Sequence, residues 1–246
     1  MVKRALLVIV LAGCLGSGAS LNVGSGAHAA LAGFADLNDF LTLVNNTIAF
    51  VEGQPNVAGE VPPLPELRTG VGFTLGELVG DGFGLGLRAA LASWETATSG
   101  SWTSEGSEYP VSLWLKVEYL SLAAQAAFQV IPGAFTVGLA GGWGWANLEY
   151  KGQFSFPDGD WELPVQLASM DATWRARGPV GEVYARVLMP LGAGFSLGLE
   201  AGLRLAPFGV PQAGGVPLDL DADGEGETLD LSGMWFGLCV QLSFEL

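Results

Sequence analysis

The chain is poor in charge and poorest in cations. Only 14% of its 246 residues are charged, with 10 Lys and Arg against 25 Asp and Glu, where an ordinary soluble domain carries roughly 25%. A formal net charge of −15 leaves no basic surface for phosphates, which excludes nucleic acid as a partner. Two cysteines, Cys14 near the start and Cys239 near the end, cannot build an intramolecular disulfide framework. Long charge-free stretches exist, but the one over 119–148 alternates and is broken by Gln125, Gln129 and Pro132-Gly133, which argues against a membrane-spanning helix. What remains is a chain that is 50% hydrophobic, too apolar for disorder, with 37 Gly and 8 Trp.

Lys3 and Arg4 precede the apolar run Ala5–Ala12 and then small residues. That order is a secretory signal, and its core is shorter than the ~20 residues of a membrane helix. Two processing sites fit: Ala27-His28-Ala29, which makes 1–29 the signal peptide, and Leu11-Ala12-Gly13-Cys14, which makes 1–13 a lipoprotein signal and Cys14 the lipidated residue. Either way the chain is exported. His28 is the only histidine. Cleavage after Ala29 removes it, which takes Ser-His-Asp sets and histidine metal sites out of the mature chain.

Over 36–52, Leu37, Phe40, Leu41, Val44, Ile48 and Val51 recur at helical spacing, with Asp36 placed as N-cap and Gly53 as stop. An amphipathic helix is the preferred reading, ahead of a strand. A Pro-rich linker completes a segment at 30–65. From 66 onward the period is two. Seven strands alternate clearly, among them Phe83–Leu91, Phe135–Trp145, Phe195–Leu203 and Phe236–Leu246. A strand near 111–130 changes phase at Tyr119–Leu120, as a bulge would make it do.

Charges fall on the small or polar face: Arg68, Arg88, Lys116, Glu118, Glu182, Arg186, Glu200, Arg204 and Glu245. A soluble exported β-sandwich would turn that face to water, whereas a membrane barrel turns the apolar face to lipid and pairs charges inside. Short turns near 80, 132 and 192 alternate with longer connections at 96–110, 150–170 and 206–232, and Phe and Trp sit at opposite strand ends. Both features favour an all-β antiparallel transmembrane barrel of about eight strands over 66–246. Since barrels of this kind have even strand numbers, either 37–51 is the eighth strand or a helix there enters the barrel. The Gly-rich inner face fits a filled lumen or a narrow, tightly curved one.

The export signal, the hairpins and the closing FGLCVQLSFEL resemble small bacterial outer-membrane β-barrels of the OmpA/OmpW type. The resemblance implies the outer membrane of a double-membraned bacterium, lipid as the surrounding partner, and insertion by the barrel-assembly machinery through the last strand. It carries no functional motif, so function rests on the site. A non-enzymatic structural or surface role is the leading expectation, and a small pore or carrier for a minor solute is the alternative. No cofactor is expected, with one exception. Asp219, Asp221, Asp223, Glu225, Glu227 and Asp230 have the spacing of a calcium loop, with Gly224 at the turn, and would give at most weak Ca²⁺ binding.

Overall fold

Eight strands close into a ring. The computed structural model describes residues 20–80, 82–157, 169–220 and 224–245. In chain order they form β1 (Ser20–Leu31), α1 (Ala35–Glu52), β2 (Ala58–Glu60), β3 (Thr69–Val79), β4 (Phe83–Ser104), β5 (Ser107–Ile131), β6 (Phe135–Phe154), β7 (Met170–Gly192), β8 (Phe195–Leu205), β9 (Gln212–Ala213), β10 (Val216–Pro217) and β11 (Gly233–Glu245). Around the ring the order is β1, β3, β4, β5, β6, β7, β8, β11, all antiparallel, and β11 pairs back onto β1. Closure leaves no unpaired edge in lipid.

The eighth strand is therefore neither 37–51 nor anything after it. It is β1, a segment expected to belong to the leader. Its outward residues, Val23, Ser25, Ala27 and Ala29, are small, and Gly24 and Gly26 face inward, so the strand has the composition of a cleavage region. Cleavage after Ala29 would cut through eleven-residue ladders on both sides of it, from Ser20↔Glu245 to Ala30↔Trp235 and from Leu21↔Val79 to Leu31↔Thr69. The barrel thus begins at Ser20 and not at 66. Met1 to residue 19, including Cys14, lie outside the described residues.

One rim carries the tight turns after β3, β5 and β7 together with Ser20 and Glu245. Outward-facing Phe83, Phe128, Phe195 and Phe244 ring it, while Trp143 and Trp145 stand farther up the wall. Between these levels the outer surface is apolar but for Ser25 on β1 and Glu77 on β3, which stands level with Leu87. On β5 it runs from Ile131 up to Leu120, roughly 28 Å for a strand rising ~3.3 Å per residue at a tilt of about 40°. That span matches the hydrocarbon core of a bilayer, and it makes the ring a transmembrane barrel.

Above Leu120 the polarity of the wall inverts. The pairing of β5 with β4 runs unshifted from Phe83↔Phe128 to Ser104↔Ser107, and that with β6 is unbroken past Tyr119. No bulge exists at Tyr119–Leu120. The phase change in the sequence is a change of surroundings. Below it the outer face meets lipid and the inner face is polar; above it the outer face carries Lys116 and Glu118, and Val111, Leu113, Leu115 and Val117 are buried inside. The expected loop at 96–110 is likewise strand. β4 and β5 meet in a two-residue turn, with Glu105 at φ 51° and Gly106 at φ 81°, the backbone of a hairpin turn that suits twisted strands.

Helix α1 fills the upper end. It buries Leu37, Phe40, Leu41, Val44, Ile48 and Val51 against the inner wall, where Phe34 packs edge-on to Trp94 and Phe40 lies near Tyr150. The Pro-rich segment 61–67 runs between helix and wall. Asn45 accepts from Leu64 N–H and donates to Leu64 O, and Asn38 does the same with Leu67. From the wall, Thr96 and Thr98 donate to the carbonyls of Pro65 and Pro62. A segment short of backbone donors is thus held through its carbonyls. Ala206, Phe208, Leu218, Leu220, Leu229 and Leu231 complete the same core, so the described parts of the connection, 206–220 and 224–232, fold inward as a lid beside the helix.

Candidate functional site

Below this plug, at membrane depth, the lumen holds a layer of charge. Inward positions on β4, β7 and β8 bring together Arg88, Glu182, Arg186, Glu200 and Arg204, each with a side chain 2–7% exposed. Arg204 Nε donates to Glu182 Oε1 and Arg88 Nε to Glu182 Oε2, both at 2.9 Å. Arg88 Nη2 lies 2.7 Å from Glu200 Oε1, and Arg186 Nε and Nη2 reach Glu200 Oε2 at 3.2 and 2.9 Å. The result is one continuous chain, Arg204–Glu182–Arg88–Glu200–Arg186. Such pairs persist in a low-dielectric interior only because both members are held.

Aromatic rings cover the guanidinium faces. Arg88 sits between Tyr184, at 4.6 Å, and Trp235, at 5.0 Å, and Arg204 lies 4.3 Å over Tyr119. Tyr184 OH donates to Gln125 Oε1, and Gln125 Nε2 donates to the carbonyls of Glu77 and Leu87. Lower down, Arg186 Nη1 donates to Gln241, which joins Asn22 and Ser243. Lumenal glycines make room for these groups. A Cβ at Gly202 would stand 2.7 Å from the Trp235 ring, and one at Gly24 would stand 3.1 Å from Arg186 Nη1. The Gly-rich face is there because the lumen is filled.

Five of the nine charges expected in the lumen form this layer, and four do not. Arg68 precedes β3 and pairs with Glu66 at 2.5 Å, largely exposed. Lys116 and Glu118 pair with each other on the outer wall above the lipid belt, where the Glu118 carboxylate raises the Lys116 ammonium above its ordinary range. Glu245 is exposed at the lower rim. A further charge, Glu77, lies on the outward series of β3 with Val71, Phe73 and Leu75.

His28 corrects a second expectation, because it stands in the lumen, 6% exposed, with its ring 5.2 Å from Trp235. Neither ring nitrogen has a hydrogen-bond partner among the described residues, so it is not set against a nucleophile as a triad base would be. Tyr184, Trp235, Tyr119, Gln125 and His28 were missed as site residues. Their one signal in the sequence is that bulky inward residues face small ones on neighbouring strands, glycine for Tyr184, Trp235, Gln125 and His28 and alanine for Tyr119.

The acidic loop is only partly visible, since Asp221 and Asp223 lie outside the described residues. Asp219 accepts from Gly224 N–H, Glu227 from Leu220 N–H and Asp230 from Ser232 N–H. These bonds close the loop on itself. Among the described residues no three metal-binding side chains gather.

No protein-family model matches the chain. No curated protein matches it either. Among solved structures it is similar to Ail, the attachment invasion locus protein of Yersinia pestis, at 10% identity and TM-score 0.43, over 93% of this chain and 100% of that one. It is similar to OprG from Pseudomonas aeruginosa at 11% identity and TM-score 0.36, over 94% and 97%. It is also similar to the outer membrane protease OmpT from Escherichia coli, at 8% identity and TM-score 0.34, over 93% and 97%. Its own closed ring and apolar belt make the chain a transmembrane β-barrel, with lipid as its surroundings.

Proposed function

We propose that the protein is a non-enzymatic outer-membrane barrel that serves the cell envelope through its outer end, and that it does not conduct. The observation that carries this reading is a lumen closed twice. The Arg–Glu layer crosses it at membrane depth, and α1 with the lid segments 206–220 and 224–232 fills it above. Moving an ion through would require separating buried pairs and displacing a packed apolar core, each unfavourable by itself. The outer end is instead a firm platform: the β4–β5 hairpin, β6 and β7 rise above the lipid belt with a polar outer wall, as a surface or adhesive role requires. Planar-bilayer recording tests it. Purified protein is expected to give no stable unitary openings. Regular openings abolished by substitution of Arg88 and Arg204 would establish the pore or carrier reading in its place.

A further inference from the structure

The lumen layer is out of charge balance. Among the described residues it sets three guanidiniums, Arg88, Arg186 and Arg204, against two carboxylates, Glu182 and Glu200, all buried. Arg186 uses all three nitrogens on Glu200 and Gln241. Arg88 reaches both carboxylates and lies near two aromatic rings; its Nη2 makes no aligned hydrogen bond but is ion-paired with Glu200 Oε1 at 2.7 Å. Arg204 is the least compensated. Its single ion pair uses Nε, and its Nη2 is buried without a hydrogen-bond acceptor. The Tyr119 ring lies against it, 4.3 Å from the guanidinium carbon.

Further unpartnered nitrogens stand on the next two strands of the ring, β11 and β1. Trp235 Nε1 is buried without an acceptor, and Trp235 pairs in register with Gly202, the inward position next below Arg204 on β8. The indole rests on Gly202, with its Cε2 2.8 Å from where a Cβ would be. His28, whose ring nitrogens are also unpartnered, is 5.2 Å from that indole. Buried N–H groups are rarely left unpaired, and an unbalanced charge in a low-dielectric site is more unfavourable still. Water would satisfy the donors but leave the charge.

We propose that the lumen holds one small monovalent inorganic anion of the halide class, bound to Arg204 Nη2, with Trp235 Nε1 and His28 as further donors. It brings the layer to neutrality. The layer lacks a single negative charge, which disfavours a divalent sulfate or phosphate. The site faces neither mouth of the barrel, so it is a resident structural site independent of any surface role.

The test uses the full barrel, purified in detergent with gluconate as the sole anion. Its unfolding temperature is followed while bromide replaces gluconate at constant ionic strength, and bromide-grown crystals are examined for anomalous scattering. A saturable rise with bromide and an anomalous peak within hydrogen-bond distance of Arg204 Nη2 are expected. Arg204→Gln balances the layer at two against two and should abolish both. Should that variant fail to fold, Trp235→Phe keeps an aromatic ring, removes one donor, and should shift half-saturation upward several-fold. Identical unfolding in bromide and gluconate, with no anomalous peak in the lumen, would overturn the proposal and leave water on these donors.

Discussion

Glu182 holds Arg88 with one carboxylate oxygen and Arg204 with the other, at 2.9 Å each, and so ties β4, β7 and β8 together across the lumen. Glu182→Leu would leave Arg204 with no carboxylate among the described residues. Loss of one member of a buried pair destabilises by about 3–5 kcal/mol, while removal of both charges restores much of it. Urea unfolding of the lipid-inserted protein should show that loss for Glu182→Leu and a partial return for Glu182→Leu with Arg204→Leu. Equal stability of wild type and single variant would show that the layer contributes nothing.

β1 supplies both ladders that close the ring, so a chain starting at Ala30 should not form a closed barrel. Expressed with an export signal fused directly ahead of it, that chain should lack the change in gel mobility on heating that a folded barrel shows. A chain starting at Ser20 should keep it. Mass spectrometry of the mature N-terminus should accordingly find processing ahead of Ser20. A mature chain starting at Ala30 that still folds would contradict the observed ring.

The strands of the lipid belt were legible because alternation depends only on the two faces meeting different media. The outer half was harder to read for the same reason. At Tyr119–Leu120 the apolar face passes from outside to inside without any backbone event, so Lys116 and Glu118 read as lumenal when they face outward. β1 hid for a different reason: Ser, Gly and Ala beside a leader have the composition of a cleavage region, and with β1 went His28. Arg88, Glu182, Arg186, Glu200 and Arg204 were legible as a set, because buried charges on one barrel face must pair. Their order in the chain of contacts, and the rings of Tyr184, Trp235 and Tyr119 upon them, depend on which strands become neighbours. Alternation carries no such information.

The linker at 61–67 depends on Asn38 and Asn45, which stand two turns apart on α1. Asn45→Ala frees the N–H and carbonyl of Leu64, buried beneath the helix; each unsatisfied group destabilises by about 1–3 kcal/mol. Proteolysis within 53–68 should therefore speed up markedly. Asn45→Asp keeps the acceptor for Leu64 N–H but loses the donor, and should fall between. Unchanged cleavage in both variants would mean that packing alone holds the segment.

The lid is fastened to the helix by Asp36, whose Oδ2 accepts from Thr228 N–H at 2.8 Å and from Thr228 Oγ1 at 2.6 Å. These bonds, the hydroxyl first and the backbone N–H second, hold the Asp36 carboxyl below its ordinary value of 3.8. A depressed pKa in the folded state means that the unfolded state binds the proton more readily, so the contact stabilises fully above the unperturbed value. That contribution fades as pH falls below 3.8 and is gone once pH has passed through the folded value. Hydrogen exchange of the amides in 206–220 and 224–232 should therefore hold its protection from neutral pH down to the ordinary carboxylate range and lose part of it below, after correction for the intrinsic rate. Asp36→Asn keeps an acceptor without a charge, so its protection should be lower at neutral pH and should lack that acid step. A wild-type profile as flat as the variant's would show that the apolar contacts of Leu218, Leu229 and Leu231 hold the lid unaided.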